Sequence, residues 1–416
     1  AALPLLVWLQ FRRLLPGHRS ITVLPRLGGG PSLSSDGRPI LLLHGVSVGE
    51  IRAMRSLVGL LQEEKPAIRL VIASATPTGM GEAARLFPEL DRTYFPLDLG
   101  FACRNFLDNV GPSGVVLMEL EIWPNFLRAC QRRGIPVAIV NGRITERSMR
   151  GYRRVQRILP QFDRIAFYGA QNERYAARFR TLPVPVDGVE VTGNLKYDNL
   201  EMESDTASDP LSPLVLPGDK VFVLGSTHEP EEWAILSRAF ADSRLDEAIW
   251  VVVPRHPYRG QALAEELAAL APDRTVLLKS ACRQPVQLNP GSVVVVDSIG
   301  ELETLYGISR AAFVGGSLTD HGGQNVLEPA ARGVPQVVGP SVENFAEEAA
   351  LLEAGGGLVR AEDAGDLLES FAFWLENPKE AREAGNKARN TLKSLRGASR
   401  LTLNALIREG ILPPTP

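Results

Sequence analysis

Short apolar stretches alternate with longer helix-forming stretches along most of the chain, and this alternation restricts the possible folds more than any other feature. In the first half, the apolar stretches are residues 40–43, 70–73, 114–118, 137–140 and 164–167. In the second half, they are residues 221–224, 248–253, 275–278, 293–296, 311–314 and 336–338. Strands that alternate with helices are typical of a parallel sheet with helices on both faces. We therefore predict an α/β fold of two Rossmann-like domains with a ligand cleft between them.

One polar stretch interrupts the alternation and divides the chain into two parts. Residues 204–219 are rich in acids, serines and prolines, a composition typical of a linker. The length of 416 residues fits two domains, at roughly 100–200 residues for each. The pattern predicts an N-terminal segment 1–30, a first domain 31–203, the linker 204–219, a second domain 220–400 and a C-terminal tail 401–416.

The N-terminal segment begins with an apolar stretch, residues 1–9, that is followed by Arg12 and Arg13. This stretch is shorter than the ~20 residues that a helix needs to cross a bilayer. Three interpretations stay open: the remnant of a membrane anchor, an interfacial helix with a basic flank, or an apolar helix packed on the first domain.

Residues 40–50 (ILLLHGVSVGE) read as a buried strand, a turn of small residues and a helix that begins near Glu50. In an open α/β sheet, a turn after a strand is where ligands bind. The helix N-terminus would stabilise the Glu50 carboxylate, but that charge would repel a phosphate. The turn therefore suits a hydroxyl group or a base, and the alternative is that Glu50 only supports the first helical turn.

Residues 313–331 (FVGGSLTDHGGQNVLEPAA) carry the densest group of candidate binding residues in the second half. A strand ends at Val314, and the backbone N–H groups of Gly315, Gly316 and Ser317 can approach a phosphate closely. The helix that follows carries Glu328, which can accept hydrogen bonds from a ribose. We predict a nucleotide site here; the alternative is a glycine-rich loop that allows tight packing.

Further candidates in the second half follow other strands. Arg255 comes directly after a strand, and its guanidinium has the donor geometry that suits a phosphate. Its neighbour His256 is either a ligand or an ordinary loop histidine. Gly300 opens a helix whose free backbone N–H groups can hold a base or a phosphate.

In the first half, Glu119 and Glu121 lie in the sequence MELEIWPN, directly after a strand. They alternate in direction if the strand continues, so only one of them is expected to face the ligand. No histidine cluster or D-x-D pattern accompanies them, and the three cysteines of the chain are widely spaced, so we predict no metal site. Lys196, after the last strand of this half, either reaches the ligand as a point charge or is solvated.

A run of arginines extends from Arg143 to Arg164, with few acids among them. The ordinary interpretation is a solvated helix face. Next to the basic N-terminal segment, this run also suits an anionic lipid or membrane surface. The arginines are not interleaved with aromatic residues, which argues against nucleic acid as a partner.

Ten motifs that occur in a fixed order carry a resemblance to a known family. They are HGVSVGE (44–50), ASATPTG (73–79), FPLDL (95–99), ELEIWPN (119–125), NGRIT (141–145), GNLKYD (193–198), GSTHE (225–229), PRHP (254–257), GELETLY (300–306) and FVGGSLTDHGGQNVLEPAARG (313–333). Over about residues 40–345, the chain resembles the 3-deoxy-D-manno-octulosonic acid (Kdo) transferases of lipopolysaccharide synthesis.

This resemblance implies a GT-B glycosyltransferase with an acceptor domain followed by a CMP-sugar domain. It implies transfer of Kdo from CMP-Kdo to the lipid A precursor lipid IVA, with inversion, without a metal or a cofactor, at the cytoplasmic face of the bacterial inner membrane. By the same resemblance Glu50 is the general base. Lys196 and one glutamate of the E-x-E pair stabilise the transition state, with Glu121 favoured over Glu119. The implied CMP contacts are Pro254, Arg255, Gly300, Glu301, Leu302, Asn325, Val326, Leu327 and Glu328.

Two other functions remain as alternatives. A nucleotide-sugar epimerase can share the GT-B architecture, but it would need different acid and base residues beside the nucleotide. A non-catalytic scaffold at the membrane would most simply lack Glu50 or Lys196, and both are present. A Rossmann dehydrogenase is disfavoured because neither half opens with G-x-G-x-x-G after its first strand.

Overall fold

A computed structural model describes residues 24–28, 33, 36–156, 160–200, 214–215, 220–284 and 286–412. Most of the predicted N-terminal segment and most of the predicted linker lie outside these residues. Within the described residues the chain forms two compact units. The first comprises the described residues up to Asn199 together with those from Arg396 onward, and the second comprises the described residues between Leu200 and Leu395.

The first unit is built on a parallel sheet whose strand order is β3-β2-β1-β4-β5-β6-β7. The strands are β1 (Ile40–His44), β2 (Arg69–Ser74), β3 (Asp91–Tyr94), β4 (Gly114–Met118), β5 (Val137–Gly142), β6 (Phe167–Ala170) and β7 (Val189–Val191). The helices before the linker are α1 (Val48–Ala53), α2 (Arg55–Glu64), α3 (Pro77–Leu86), α4 (Gly100–Val110), α5 (Pro124–Arg132), α6 (Glu146–Gln156) and α7 (Glu173–Arg180).

The central strands of this sheet are mainly apolar because both faces of the sheet are covered. Successive side chains point to opposite faces. In β1, Leu42 therefore belongs to one apolar core cluster, whereas Leu41 and Leu43 belong to the other. The last predicted strand of this half, residues 164–167, is displaced: a short 3₁₀ turn occupies Phe162–Arg164, and β6 begins only at Phe167.

The second unit repeats this architecture with the parallel order β11-β13-β10-β9-β14-β15-β16. A separate parallel pair is formed by β8 (Leu214–Val215) and β12 (Val286–Gln287). The sheet strands are β9 (Val221–Thr227), β10 (Ile249–Pro254), β11 (Val276–Leu278), β13 (Val293–Val295), β14 (Ala311–Val314), β15 (Gln336–Val338) and β16 (Leu358–Arg360). The helices are α8 (Glu231–Ala239), α9 (Gly260–Leu270), α10 (Leu302–Gly307), α11 (Leu327–Ala331), α12 (Ala346–Ala354), α13 (Ala364–Glu376) and α14 (Pro378–Ser394).

The C-terminal helix α15 (Ala398–Arg408) corrects the predicted boundaries 220–400 and 401–416. It belongs to the first unit and is not a tail. Leu403 and Leu406 are buried in the same core cluster as Leu41 and Leu43. At the start of the helix, the Ser399 N–H donates to Asp198 Oδ2 at 2.6 Å. The apolar face of α15 thus completes the core of the first unit.

Helix length and composition also bear on membrane crossing. In the described part of the chain, none of the helices combines the length and the apolarity that are needed to cross a bilayer.

Candidate functional site

The turn after β1 places Glu50 in the first turn of α1. Ser47 caps this helix: its Oγ accepts a hydrogen bond from the Glu50 N–H at 3.3 Å. In return the Glu50 carboxylate accepts from the Ser47 hydroxyl at 2.8 Å and from the Val46 N–H at 2.9 Å. This reciprocal arrangement resembles a capping box. Glu50 therefore does support the helical turn, as one of the two interpretations expected.

The same turn also changes the acidity of Glu50. Burial raises the pKa of its carboxyl, and the negative charge of Glu119 adds to the increase. The hydrogen bonds from Val46 and Ser47 act in the opposite direction but are outweighed. A carboxylate with a raised pKa is better matched to accepting a proton near neutral pH. Supporting the helix and accepting a proton are thus compatible roles for this residue.

Glu119 and Lys196 lie in the same region of the first unit. Glu119 follows β4, the neighbour of β1 in the sheet, and has a left-handed backbone with φ of 57°. This conformation is costly for a non-glycine residue and is common at functional sites. The Lys196 Nζ lies 4.0 Å from Glu119 Oε1. Glu119 thus pairs with Lys196, and its negative charge acts on Glu50. The resemblance favours Glu121, and the choice between the two glutamates stays a prediction.

Asn141 is a residue whose role sequence reasoning missed. It is fully buried near the end of β5 and also has a left-handed backbone, with φ of 54°. Its Oδ1 accepts from the Leu195 N–H at 3.1 Å. Asn141 therefore fixes the short 3₁₀ turn Leu195–Asn199 that carries Lys196. The motif NGRIT was the available signal, but it did not disclose this contact.

Asp98 was missed as well, and it positions the segment that contains the E-x-E pair. Its carboxylate accepts from the backbone N–H groups of Asn125 and Phe126, each at 2.9 Å from Oδ1. These groups belong to the first turn of α5, directly after that segment. Burial raises the pKa of the Asp98 carboxyl, and the hydrogen bonds from Asn125 and Phe126 oppose this increase. Asp98 thus caps α5 from a distant part of the sequence.

In the second unit, the glycine-rich loop after β14 differs from the expected phosphate cradle. The carboxylate of Glu231, at the start of α8, occupies this position. Glu231 Oε2 accepts from the Gly316 N–H at 2.8 Å, and Oε1 accepts from the Ser317 N–H at 3.0 Å and the Leu318 N–H at 2.9 Å. A fourth N–H, that of His228, donates to Oε2 at 2.8 Å. The backbone donors of this loop are therefore engaged by the chain itself.

The predicted nucleotide residues after this loop do lie near one another. Asn325 Nδ2 donates to Glu328 Oε1 at 2.9 Å, and Asn325 Oδ1 accepts from the Leu327 N–H at 3.1 Å. Burial raises the pKa of Glu328, and the positive charge of Arg255 acts to lower it. Arg255 follows β10 and is exposed. An exposed guanidinium and a largely buried carboxylate therefore lie on the same edge of the sheet.

The remaining predicted CMP contacts lie at this edge too. Pro254 ends β10 and is buried. Gly300 is exposed with φ of 92°, and Glu301 forms an ion pair with Lys279. Leu302 packs against an apolar core cluster, and Val326 and Leu327 are buried. Among the described residues, no group of three or more His, Cys, Asp or Glu side chains is arranged to hold a metal ion.

Three histidines form a cluster that sequence reasoning did not detect. The rings of His228 and His321 stack with centroids 4.1 Å apart, and those of His228 and His256 meet edge to face at 5.9 Å. They follow β9, β14 and β10, which are neighbours in the sheet. Because they are far apart in the chain, no local pattern could join them.

Comparison with known proteins decides the family. Residues 22–199 match the family model for 3-deoxy-D-manno-octulosonic-acid transferase (kdotransferase). The chain is 33% identical to the 3-deoxy-D-manno-octulosonic acid transferase of Haemophilus influenzae over 371 residues. The aligned region covers 88% of this chain and 86% of that protein. The chain belongs to the Kdo transferase family. The enzyme of the same name from Bordetella pertussis is 32% identical over 382 residues, with the same coverage of 88% and 86%.

Solved structures agree with the fold of this Kdo transferase. UDP-GlcNAc 2-epimerase from Neisseria meningitidis matches with a TM-score of 0.62 and 16% identity, over 89% of this chain and 100% of that one. At this identity the likeness shows the fold alone. The predicted GT-B architecture of two Rossmann-like domains is confirmed. As a member of its family, this Kdo transferase is a glycosyltransferase of lipopolysaccharide synthesis.

Proposed function

We propose that this Kdo transferase moves Kdo from CMP-Kdo to a hydroxyl group of the lipid A precursor lipid IVA. The transfer inverts the anomeric centre and uses neither a metal nor a cofactor. The observation that carries the proposal is the environment of Glu50. Its carboxyl is held by Val46 and Ser47 and has a raised pKa, as a general base for a sugar hydroxyl requires.

The proposed reaction is a single displacement. Glu50 accepts the proton of the attacking hydroxyl group. The oxygen of that hydroxyl group forms a bond to the anomeric carbon of Kdo. The bond from that carbon to the phosphate oxygen breaks, and its electron pair leaves with CMP. Lys196, beside Glu119, stabilises the negative charge of the transition state. Glu121, which the resemblance favours, is the alternative partner.

The second unit binds the donor in this proposal. Glu328, oriented by Asn325, accepts hydrogen bonds from the ribose, and Arg255 binds the phosphate. The proposal is supported by the positive charge of Arg255, which acts to lower the pKa of Glu328. The apolar and backbone groups that complete the site are those of Pro254, Gly300, Glu301, Leu302, Val326 and Leu327.

We also propose that the enzyme acts at the cytoplasmic face of the inner membrane, where its lipid acceptor lies. The exposed arginines of α6 support this placement. Arg150, Arg153 and Arg154 line an open groove of about 770 Å³. Arginines on a surface helix attract anionic lipid headgroups. Arg157, which belongs to the same run in the sequence, lies outside the described residues.

Incubation with CMP-Kdo and lipid IVA tests the transfer directly. The expected result is a product heavier than lipid IVA by one or more Kdo residues in the mass spectrum, with release of an equal amount of CMP. A chelator should leave the rate unchanged, and NMR of the product should show inversion. Intact donor with no gain in acceptor mass would contradict the proposal, and a donor converted to its epimer would favour the epimerase alternative.

A further inference from the structure

Three of the five histidines of the chain meet at the carboxyl edge of the second sheet. His228 is half-buried, whereas His256 and His321 are exposed. The Thr319 hydroxyl lies 2.8 Å from His321 Nδ1, and Gln324 Nε2 lies 3.4 Å from His228 Nε2. The imidazole groups of the cluster are therefore accessible to solvent, and contacts with Thr319 and Gln324 help to orient two of the rings.

The backbone beneath these rings is fixed. Glu231 ties the loop that carries His228 to the loop after β14 through the backbone N–H groups described above. Gly316 forms the floor of the cluster. A Cβ at that position would lie 3.2 Å from His228 Cδ2 and 3.3 Å from both His321 Cβ and Gln324 Nε2. The two stacked histidines are thus held on a rigid base.

One permanent cation, Arg255, acts on this cluster. Burial lowers the pKa of His228, and the neighbouring His321, His256 and Arg255 lower it further. Glu232 acts in the opposite direction. That carboxylate, however, already accepts from Thr227 Oγ1 at 2.8 Å and from Arg259 Nη1 at 3.0 Å. A bound anion would favour the imidazolium form of His228 and would also be attracted by Arg255.

Arg255 connects this cluster to the predicted nucleotide site. Its charge acts both on Glu328 and on His228. The donor also carries two anionic groups on one carbon, because an octulosonic acid bears its carboxylate on the anomeric carbon and CMP-Kdo attaches the phosphate there. A group of hydrogen-bond donors beside Arg255 could therefore bind the carboxylate while Arg255 binds the phosphate.

We propose that His228, His256 and His321 bind the carboxylate of the donor sugar while Arg255 binds the adjacent phosphate. This inference rests on the proposed function and extends it to the choice of sugar. A nucleotide sugar without the carboxylate would leave the cluster without its anion. Polar binding groups that are left unpaired give strong discrimination between substrates.

Calorimetric binding to the full chain, with CMP-Kdo and with the methyl ester of CMP, tests the proposal. The methyl ester keeps the phosphodiester charge but lacks the carboxylate. We expect His228→Gln and His321→Gln each to weaken binding of CMP-Kdo about tenfold, as the loss of a charge-assisted hydrogen bond would. The affinity of both variants for the methyl ester should change less than twofold. Such retained binding would also show that the nucleotide site of each variant is folded. Tyr258→Phe, which alters an exposed ring stacked on His256, is the matched control.

Proton uptake provides a second readout that a structural role would not affect. The groups that face His228 are His321, His256, Arg255, Glu232 and Glu231. A bound carboxylate favours the imidazolium form, so CMP-Kdo should take up protons on binding and should bind more weakly as the pH rises. Calorimetry in buffers of different ionisation enthalpy measures this uptake.

The outcomes separate this inference from the function on which it rests. Equal losses for both ligands, no loss in either histidine variant, or no proton uptake specific to CMP-Kdo would each overturn the carboxylate site. If the unaltered enzyme failed to bind CMP-Kdo at all, the proposed function itself would be contradicted.

Discussion

The Glu50 carboxyl combines two properties that a general base needs, a fixed position and a raised pKa. We expect Glu50→Gln to lower kcat by about 10²- to 10⁴-fold, because the amide cannot accept the proton. In the unaltered enzyme, kcat at saturating concentrations of both substrates should rise with pH through the pKa of Glu50 and then level off. Steady-state kinetics from pH 5 to pH 8 measure both effects. Full activity in the Gln variant, or a profile without the acidic limb, would contradict the assignment.

The same raised pKa predicts how Glu50 affects stability. An acid whose pKa is higher in the folded state binds more protons there, so its contribution to stability is present at low pH and is lost as pH rises through the folded pKa. Glu50→Gln should therefore gain in unfolding free energy relative to the unaltered enzyme as pH rises from 5 to 8. Chemical denaturation at several pH values measures this change. Glu63→Gln, at an exposed position of α2, is the control and should show no such trend.

Glu119 and Glu121 can be separated by substitution. Because Glu119 lies 4.0 Å from Lys196 and its charge acts on Glu50, we expect Glu119→Gln to lower kcat about tenfold or more, and by more than Glu121→Gln does. Lys196→Met and Glu119→Gln should be non-additive in the double variant, because the two residues interact. The reverse order of effects would restore Glu121 as the partner that the family resemblance favours.

At the scale of elements, Glu231 joins α8 to the loop after β14. Glu231→Ala would leave four backbone N–H groups without their acceptor and should lower the unfolding free energy by about 3 kcal/mol. Hydrogen exchange of the amides of Gly316, Ser317 and Leu318 should accelerate. Glu231→Gln keeps one acceptor oxygen and should have an intermediate effect.

Glu229 supplies the control for this experiment. It is exposed, and its ion pair with Arg259 spans 3.9 Å. Glu229→Ala should therefore cost less than about 1 kcal/mol and leave the exchange of the loop unchanged. Unchanged exchange of the loop in Glu231→Ala would show that the carboxylate does not hold the loop.

Strands in the centre of each sheet could largely be predicted from the sequence, whereas only one edge strand, β11, was predicted and the edge strands β3, β7 and β16 were not. Buried strands such as β4 and β14 are continuous apolar runs and were placed correctly. The edge strand β3, with the sequence DRTY, buries only Thr93 and gives no such signal. An apolar run in the sequence indicates a strand that is buried on both faces. Edge strands are only partly buried and therefore often lack such a run.

The candidate site was predictable in its positions but not in its contacts. Glu50, Arg255 and Glu328 were predicted because each comes after a strand end, where ligands bind in such sheets. The partner of the glycine-rich loop could not be found in this way, because Glu231 precedes Gly316 by 85 residues. A loop of this composition suits any anion, and here the anion is a side chain of the chain itself.

At the scale of the whole molecule, the last helix shows a further limit of sequence reasoning. The sequence has an apolar pattern in residues 398–408, but a helix pattern does not say which core the helix completes. Its place in the first unit follows from burial of Leu403 and Leu406 and from the capping contacts of Asp198. A domain boundary that is predicted from a linker does not show that the chain returns to the first unit at residue 396.

The proposed membrane surface can be tested on the intact enzyme. Arg153 and Arg154 are exposed on α6 and line the open groove. Since each basic residue near an anionic bilayer contributes about 1 kcal/mol, Arg153→Ser/Arg154→Ser should weaken binding to anionic vesicles roughly 10- to 30-fold. Sedimentation with phosphatidylglycerol and with phosphatidylcholine vesicles at two salt concentrations measures this, and the effect should shrink at high salt.

Arg382→Ser/Lys387→Ser makes the same change in net charge at exposed positions of α14. Equal losses in both double variants would indicate attraction by net charge and contradict a specific surface on α6.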